Sequence, residues 1–341
     1  MRSLWIALSL IGVLLLAACG GGPAAPSAEE AVDADSAAEG ADAAVVEPLE
    51  EPLDVLATTQ QIADVVENVA GDNVDLTTLL GPGIDPHTYV ATESDIATFE
   101  NADVIFYNGH HLEAQLERIF DQLAGQEGKT VVAVAEQLEE TKLLSWEPEA
   151  GLPNDPHIWN DVRLWKEVVM VVADTLAEVD PTNAATYQAN AEEYMTELDD
   201  LHQYLLEQVE QIPQEQRVLV TAHDAFGYLG RTYGLAVEAV QGLSTETEAG
   251  TADVQALADI VAEREVPAIF IETTISPRTI EAVKEAVRAE TGREVTIGGE
   301  LYSDAMGDPG TPEGTYVGMM RHNIDTIANA LSAPVTSGVE E

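Results

Sequence analysis

The sequence predicts an α/β fold of two lobes, each a parallel-type sheet flanked by helices, joined by a long backbone helix. Residues 53–134 and 218–297 each alternate short apolar strand-like segments with helix-like segments, a pattern typical of parallel sheets covered by helices. Two helical patterns lie between them, at 162–178 and 182–211, and apolar residues recur at spacings of three and four in the second. That pattern predicts a helix of about 45 Å, which would permit only small relative movement of the lobes.

The first lobe begins with a strand and a capped helix. Residues 53–57 form the predicted strand, Thr58 or Thr59 caps the helix that runs to residue 70, and Gly71 ends that helix. The other predicted elements of this lobe are strands at 74–80, 104–107 and 130–134 and helices at 92–101 and 111–123.

The second lobe repeats this alternation. Its predicted strands are 218–221, 236–240, 268–271 and 295–297, and its predicted helices begin at about 225, 253 and 277. Thr311 is expected to cap a final helix that has Pro312 in its first turn. We therefore expect an N-terminal lobe at 53–160, linking helices at 161–212, a C-terminal lobe at 213–333 and a tail at 334–341.

The N-terminus has the features of an exported lipoprotein. Arg2 precedes a short apolar run that ends in small residues at Ala18, which predicts a signal peptide at 1–18 rather than a membrane span. The residues before Cys19 have the form of a lipobox, so we expect a lipid on Cys19 and attachment to the cell membrane outside the cytoplasm. A plain signal peptide or an N-terminal anchor helix is the alternative. Cys19 is the only cysteine, which excludes a disulfide within the chain.

Residues 19–52 are acidic, rich in alanine, glycine and proline, and contain no aromatic residue. Such a segment cannot bury enough apolar surface to offset its ordering entropy, so we expect a disordered tether. The whole chain has a formal net charge of −48, and no lysine or arginine occurs between Arg2 and Arg118. This argues against nucleic acid as a partner, because phosphate binding requires basic patches. Solubility in a salty or acidic medium explains most of the acidic residues.

The tripeptide Asp-Pro-His occurs twice, as Asp85-Pro86-His87 and as Asp155-Pro156-His157. Proline fixes its own φ and favours an extended residue before it, so each histidine lies on a stiff loop where its imidazole can bind a metal. His223 follows an apolar strand-like run, and Asp304 follows the last predicted strand. Three imidazoles and one carboxylate form a complete first coordination shell for a borderline divalent cation.

These residues are expected to meet in the cleft between the lobes. His87 and His157 belong to the first lobe or its exit, whereas His223 and Asp304 belong to the second. Where the sequence predicts a strand before one of these residues, the residue lies just beyond the end of that strand. This is the carboxyl-end edge, where open α/β sheets bind ligands. A metal in that cleft would contact both lobes.

Other titratable residues have alternative interpretations. Asp85 and Asp155 either brace their loops or orient the neighbouring imidazoles. Asp308 and Glu300 compete with Asp304 for the role of acidic ligand. Ligation is less expected for the remaining histidines and for two acidic loop residues, which are His110, His111, His202, His322, Glu246 and Glu248.

A set of motifs along residues 53–331 identifies a family. They are Asp85-Pro86-His87, Phe106-Tyr107-Asn108-Gly109, His111-Leu112-Glu113, Asp155-Pro156-His157-Ile158-Trp159, Ala222-His223-Asp224-Ala225-Phe226-Gly227-Tyr228, Ile269-Phe270-Ile271-Glu272 and Leu301-Tyr302-Ser303-Asp304. With these motifs the chain resembles the TroA-like metal receptors, the solute-binding proteins of zinc and manganese ABC importers. The resemblance implies a metal held between two lobes by His87, His157, His223 and Asp304. It also implies delivery of that metal to an ABC permease and its ATPase, and we expect a monomer.

The sequence carries opposing signals for the identity of the metal. Imidazole suits Zn²⁺, and His223 in place of a carboxylate favours Zn²⁺ over Mn²⁺. Zinc-specialised members of the family often carry a histidine-rich loop before the second Asp-Pro-His, whereas residues 135–154 contain no histidine. That absence weighs against zinc, but on the ligand types we expect zinc, with manganese as the alternative cargo.

Two other classes of function compete with a receptor. An adhesin or interaction lipoprotein would use the metal structurally. A zinc hydrolase would need an open coordination position and a general base, yet no His-Glu-x-x-His motif is present and four protein ligands would close the site. The sequence therefore favours a protein that is not an enzyme.

Overall fold

The computed structural model describes residues 51–147 and 152–332. The expected signal peptide at 1–18, Cys19, nearly all of the expected tether and the expected tail at 334–341 lie outside the described residues. Within the described part of the chain, no helix combines the length and the apolar character needed to cross a membrane.

The N-terminal lobe is built on a four-stranded parallel sheet. Its strands are β1 (Leu53–Ala57), β2 (Val74–Thr78), β3 (Val104–Tyr107) and β4 (Thr130–Ala133), in the spatial order β2-β1-β3-β4. The helices between them are α1 (Gln60–Ala70), α2 (Glu93–Asn101) and α3 (Glu117–Ala124). In β1, Val55 packs into the main core and Leu56 into a second cluster on the opposite face. The sheet is therefore buried on both faces, as parallel sheets require.

Two helices in this lobe begin at side-chain caps, and the first of these is one of the two predicted residues. The Thr59 hydroxyl accepts a hydrogen bond from the backbone N–H of Ile62, and Gly71, with φ 55°, ends α1. Thr92 and Asp95 form a reciprocal capping box at the start of α2. These local signals fix where the helices begin, and so where the loops at the carboxyl ends of the strands begin and end.

A short antiparallel hairpin precedes the second Asp-Pro-His motif. It consists of β5 (Ser145–Glu147) and β6 (Leu152–Asn154), with Ser145 paired to Asn154. The sequence does not predict this hairpin, because strands of three residues are too short to show an alternating pattern. The hairpin leads the chain directly into Asp155.

Two long helices follow, α4 (Val162–Val179) and α5 (Ala184–Glu210). The apolar residues that recur along α5 are all buried, as their spacing predicts. They are Tyr187, Ala191, Tyr194, Leu198, Leu201, Leu205 and Val209. They belong to one continuous core that also includes Val55 of the first lobe and Phe270 of the second. A core that passes through both lobes and the linking helix resists large rigid-body motion, because opening it would expose apolar surface.

The C-terminal lobe contains two parallel strand pairs. Strand β7 (Val218–His223) pairs with β8 (Ala236–Gln241), and β9 (Ala268–Glu272) pairs with β10 (Thr296–Leu301). Strand β7 also lies next to β9. The helices of this lobe are α6 (Gly227–Tyr233), α7 (Thr251–Glu263), α8 (Arg278–Thr291) and α9 (Tyr316–Leu331). The fold is thus α/β with parallel strands flanked by helices, as the sequence predicts.

Two predicted helix starts are wrong. Helix α3 begins at Glu117 and not at residue 111, because His110 and His111 have φ values of 50° and 64°, a left-handed conformation that an α-helix cannot include. Thr311 caps a short 3₁₀ turn, and the last α-helix starts only at Tyr316, where the Thr315 hydroxyl accepts from the N–H of Gly318.

Candidate metal centre

Four side chains that are distant in sequence converge in the interior of the fold. They are His87, His157, His223 and Asp304, and one ligand atom from each lies within 4.8 Å of the others. All four residues are buried, none more than 2% exposed. The structure therefore brings together all four residues that the sequence singles out.

Each residue reaches this point from the end of a strand or from the loop beyond it. His223 is the last residue of β7, and Asp304 lies three positions beyond the end of β10. His87 lies in the loop between β2 and α2, and His157 follows β6. For His87, His223 and Asp304 these are parallel strands, whose carboxyl ends are where open α/β sheets bind ligands, whereas His157 follows the antiparallel hairpin.

The nitrogen atoms of the three imidazoles that face the centre are all Nε2. The Nε2 atoms of His87 and His157 are 3.4 Å apart. The carboxylate of Asp304 lies between the rings, with oxygen-to-Nε2 distances of 3.1 Å to His223, 3.5 Å to His157 and 3.8 Å to His87. Among the described residues, neither oxygen of Asp304 makes a well-aligned hydrogen bond, and its nearest polar neighbour is Nε2 of His223. A buried carboxylate held only by such contacts is costly, and a cation bound between the rings would remove that cost.

Glu272 orients His223. Its Oε2 atom lies 2.5 Å from Nδ1 of His223, and its Oε1 atom accepts hydrogen bonds from the backbone N–H groups of Ala222 (2.7 Å) and His223 (2.9 Å). A carboxylate on Nδ1 fixes the tautomer that leaves Nε2 free to bind a metal, and it makes that nitrogen a better ligand. The sequence alone does not indicate this role for Glu272. The available signal is its position at the end of β9, next to the strand that ends in His223.

The two Asp-Pro-His motifs differ in what their aspartates do. Asp155 accepts from the backbone N–H of His157 at 2.9 Å and also contacts its Nδ1 at 2.7 Å, so it both braces the loop and orients the ring. Asp85 accepts from the backbone N–H of His87 at 2.9 Å, while its other oxygen accepts from the Thr245 hydroxyl at 2.6 Å. Nδ1 of His87 has no partner within the part of the chain that the structure describes. Of the two interpretations left open for these aspartates, bracing alone holds for Asp85.

Burial and neighbouring charges shift the ionisation of the cluster. Burial lowers the pKa of His87 to about 3, which keeps its imidazole neutral at physiological pH. Burial alone would also lower the pKa of His223, but the carboxylates of Glu272 and Asp304 raise it well above its ordinary value. Burial would raise the pKa of Asp304, but His223 and the other two imidazoles hold that pKa well below its usual range. Asp304 is therefore an anion, the form in which a carboxylate binds a metal.

The other candidate residues lie outside this cluster. His111 contacts Glu117 (Nδ1 to Oε1, 2.9 Å), His202 contacts the Tyr233 hydroxyl at 3.0 Å, and His322 contacts the Glu300 carbonyl at 3.1 Å. The side chains of Glu300 and Asp308 are exposed, which leaves Asp304 as the acidic member of the cluster.

A cavity of about 510 Å³ lies between the loop that carries His111 and the loop 242–249. Glu246 and Glu248 line it, and Oε1 of Glu246 accepts from the side-chain amide of Gln115 at 2.6 Å. These two acidic residues therefore lie at the surface of the cavity and not in the buried cluster.

The fold and this buried cluster of three histidines and one aspartate define a two-lobed metal-binding protein of the α/β class. Residues 55–330 match the family described as "Zinc-uptake complex component A periplasmic" (ZnuA), and the chain belongs to this family.

Relatives of the chain include zinc-binding and manganese-binding proteins. It is 48% identical over 278 residues to the zinc-binding protein TroA of Treponema pallidum, covering 82% of this chain and 88% of TroA. It is 44% identical over 282 residues to the manganese-binding lipoprotein MntA of Bacillus subtilis, covering 83% and 90% respectively. The solved structure of periplasmic zinc-binding TroA from Treponema pallidum superposes with a TM-score of 0.80 at 47% identity, covering 83% of this chain and 100% of that one.

Proposed function

We propose that this protein captures a divalent transition metal outside the cytoplasm and delivers it to an ABC importer. The observation that carries this proposal is the buried convergence of His87, His157, His223 and Asp304, whose ligand atoms lie within 4.8 Å of one another. Two of the imidazoles are held by carboxylates on Nδ1 with Nε2 directed to the centre, as is usual for metal-binding histidines. The family and the relatives named as metal-binding proteins support the same assignment.

The partners follow from this role. A substrate-binding protein of an ABC importer works with a membrane permease and an ATPase, and several relatives are named as lipoproteins. We propose that the mature chain is a monomer that binds no nucleic acid and is attached to the membrane through a lipid on Cys19. The net charge of −48 supports the exclusion of nucleic acid, since a protein of this charge repels phosphate.

The geometry of the site fits a protein that captures a metal better than an enzyme that uses a metal for hydrolysis. A catalytic zinc keeps one coordination position open for water, whereas four protein side chains surround this centre and are almost completely buried. Two further carboxylates beside the site, Asp155 and Glu272, contact Nδ1 of His157 and His223 respectively. They are therefore engaged as hydrogen-bond partners and are not free to act as general bases.

We propose zinc as the preferred cargo and manganese as the alternative. Three nitrogen ligands and one oxygen suit zinc, and a site of given nitrogen and oxygen ligands binds Zn²⁺ more tightly than Mn²⁺. The relatives include a protein named for zinc and another named for manganese at similar identity, so sequence similarity does not choose between the two metals.

Two measurements test the cargo. In a competition titration, the metal-free protein should bind Zn²⁺ in preference to Mn²⁺, and cells that lack the protein should contain less zinc. Preferential Mn²⁺ binding together with normal zinc content would refute the zinc assignment and leave the receptor role standing. Failure to bind either metal, with metal content unchanged in the cells, would refute the receptor itself.

A further inference from the structure

The segment that carries Asp304 belongs to the C-terminal lobe by sequence, but side chains of the N-terminal half hold it. The side-chain amide of Gln60, the first residue of α1, makes two hydrogen bonds to this segment. Its Oε1 accepts from the backbone N–H of Met306 at 3.0 Å, and its Nε2 donates to the carbonyl of Gly307 at 3.0 Å. Both partners lie within three positions of Asp304.

Trp159 holds the same segment from its other side. Its indole N–H donates to the carbonyl of Ser303, the residue directly before Asp304, at 2.9 Å. The indole ring also packs edge-on against the ring of His157, with 5.2 Å between the centroids. Asp304 is therefore bracketed by a hydrogen bond on the residue before it and by two on residues 306 and 307.

The attachment to the N-terminal half continues beyond the metal centre. The carboxylate of Asp64 in α1 accepts from the backbone N–H of Tyr316 at 3.1 Å, and the hydroxyl of Tyr316 donates to the carbonyl of Trp159 at 2.7 Å. Residues 303–316 thus contact α1 and Trp159 repeatedly along their length. His223, in contrast, is held by Glu272, which is itself a residue of the C-terminal lobe.

From this arrangement we infer that Gln60 is a positioning residue for Asp304. Gln60 holds Asp304 with His87 and His157 on the N-terminal side of the cleft, and His223 approaches from the other side. The inference rests on the proposed metal-receptor function. Gln60 is only 7% exposed and both polar atoms of its amide are bonded, so the amide cannot rotate without breaking a buried hydrogen bond. A rigid hydrogen-bonding residue of this kind, behind the residue that binds the metal, keeps the metal-binding side chain in the position that tight binding requires.

The adjacent residue offers a matched control. Gln61 lies on the same first turn of α1 and is 1% exposed, yet its amide has no hydrogen-bond partner among the described residues. Gln60→Met and Gln61→Met make the same chemical change in the same helix turn. We expect Gln60→Met to weaken Zn²⁺ binding about 10-fold to 100-fold, the usual loss when a residue that orients a metal ligand is removed. Gln61→Met should bind Zn²⁺ like the unaltered protein.

A double-mutant cycle with Asp304→Ala separates positioning from general stability. If Gln60 acts through Asp304, then Gln60→Met should change Zn²⁺ affinity by less than about 3-fold when Asp304 is already absent. Co²⁺ absorption spectra of the metal-loaded variants give a second readout, because the d–d bands depend on coordination number and geometry. The spectrum of Gln60→Met should shift towards that of Asp304→Ala, and the spectrum of Gln61→Met should not shift.

The outcomes distinguish this inference from the function on which it rests. An equal loss of affinity from Gln60→Met with and without Asp304, or no loss at all, would overturn the positioning role. Unchanged Zn²⁺ affinity in Asp304→Ala would instead refute the proposed ligand set. If Gln60→Met does not fold, Gln60→Glu replaces it in the same cycle, because it keeps the shape of the side chain and an acceptor for the Met306 N–H but removes the donor to the Gly307 carbonyl.

Discussion

His157→Ala should remove most of the thermal stabilisation that metal gives to this protein. The Nε2 atom of His157 is one of the four proposed ligand atoms at the centre, and its Nδ1 is held by Asp155 at 2.7 Å. The alanine variant loses the imidazole nitrogen, and no other described histidine belongs to the cluster to replace it. The metal would then have at most three protein ligands.

The size of the effect follows from mass action. A metal at a thousandfold excess over its Kd, binding only the folded state, adds about 4 kcal/mol to the free energy of unfolding. For a domain of roughly 250 residues, 1 kcal/mol corresponds to about 2–4 °C in Tm, so the metal should raise Tm by roughly 10 °C. If loss of one ligand weakens binding about 100-fold, the gain falls to about 1.4 kcal/mol, or roughly 4 °C, at the same metal concentration.

Differential scanning calorimetry with and without Zn²⁺, followed by addition of a chelator, measures this gain. The gain should shrink as pH falls, because the carboxylates of Glu272 and Asp304 raise the pKa of His223 well above its ordinary value and a proton on that ring competes with the metal. His202→Ala is the control: His202 is a part-buried histidine that contacts the Tyr233 hydroxyl at 3.0 Å and lies outside the cluster. His202→Ala should lower Tm by the same amount with and without metal, so the metal-dependent gain in Tm should stay unchanged. Equal losses of the metal-dependent gain in the two variants would refute the ligand assignment.

Three further predictions concern other parts of the molecule. Glu272→Gln should weaken Zn²⁺ binding about 10-fold to 100-fold, because His223 loses the carboxylate on its Nδ1. The control Glu246→Gln, in an exposed loop, should not weaken it. Equal Zn²⁺ affinities of the two variants in a titration would contradict the role of Glu272. Burial raises the pKa of Asp64 from 3.8 to about 6, so the folded protein keeps this proton to higher pH than the unfolded chain does. The stabilisation present below about pH 4 should therefore be lost as pH rises through about 6, by about 3 kcal/mol. Urea unfolding of Asp64→Asn across this range should lack that decline, and parallel profiles of the two proteins would contradict it. Cys19→Ser should release the mature protein from membranes and leave its metal affinity unchanged, and an unmodified Cys19 in the mass spectrum of the mature protein would disprove lipid anchoring.

Much of the fold was predictable because its signals are local. Thr59 and Thr92 cap helices where the sequence places them, and the buried positions of α5 follow the spacing of its apolar residues. The start of α3 was not predictable in this way. Residues 111–116 have helix-compatible composition, but the left-handed conformations at His110 and His111 delay the helix to Glu117. A pattern of helix-forming residues does not show where a left-handed turn interrupts it.

The four clustered residues were also predictable from the sequence. Two of the histidines lie in repeated tripeptides, and in each the aspartate accepts from the backbone N–H of its own histidine at 2.9 Å, an interaction within three residues of chain. His223 and Asp304 follow strands, and the carboxyl ends of neighbouring parallel strands lie at one edge of a sheet. The residue types of the site could therefore be predicted from short sequence segments and from the order of the strands and helices.

The contacts that hold His223 and the segment of Asp304 in place were decided by the tertiary structure alone. Glu272 reaches His223 across 49 positions of the chain, and Gln60 reaches Met306 across 246. The sequence around each residue contains nothing that selects its partner, because the pairing depends on which strand and helix ends become neighbours once the core forms. The sequence thus determined which groups could bind a metal. Packing of the two lobes around α5 decided which carboxylate orients His223 and which half of the molecule holds Asp304.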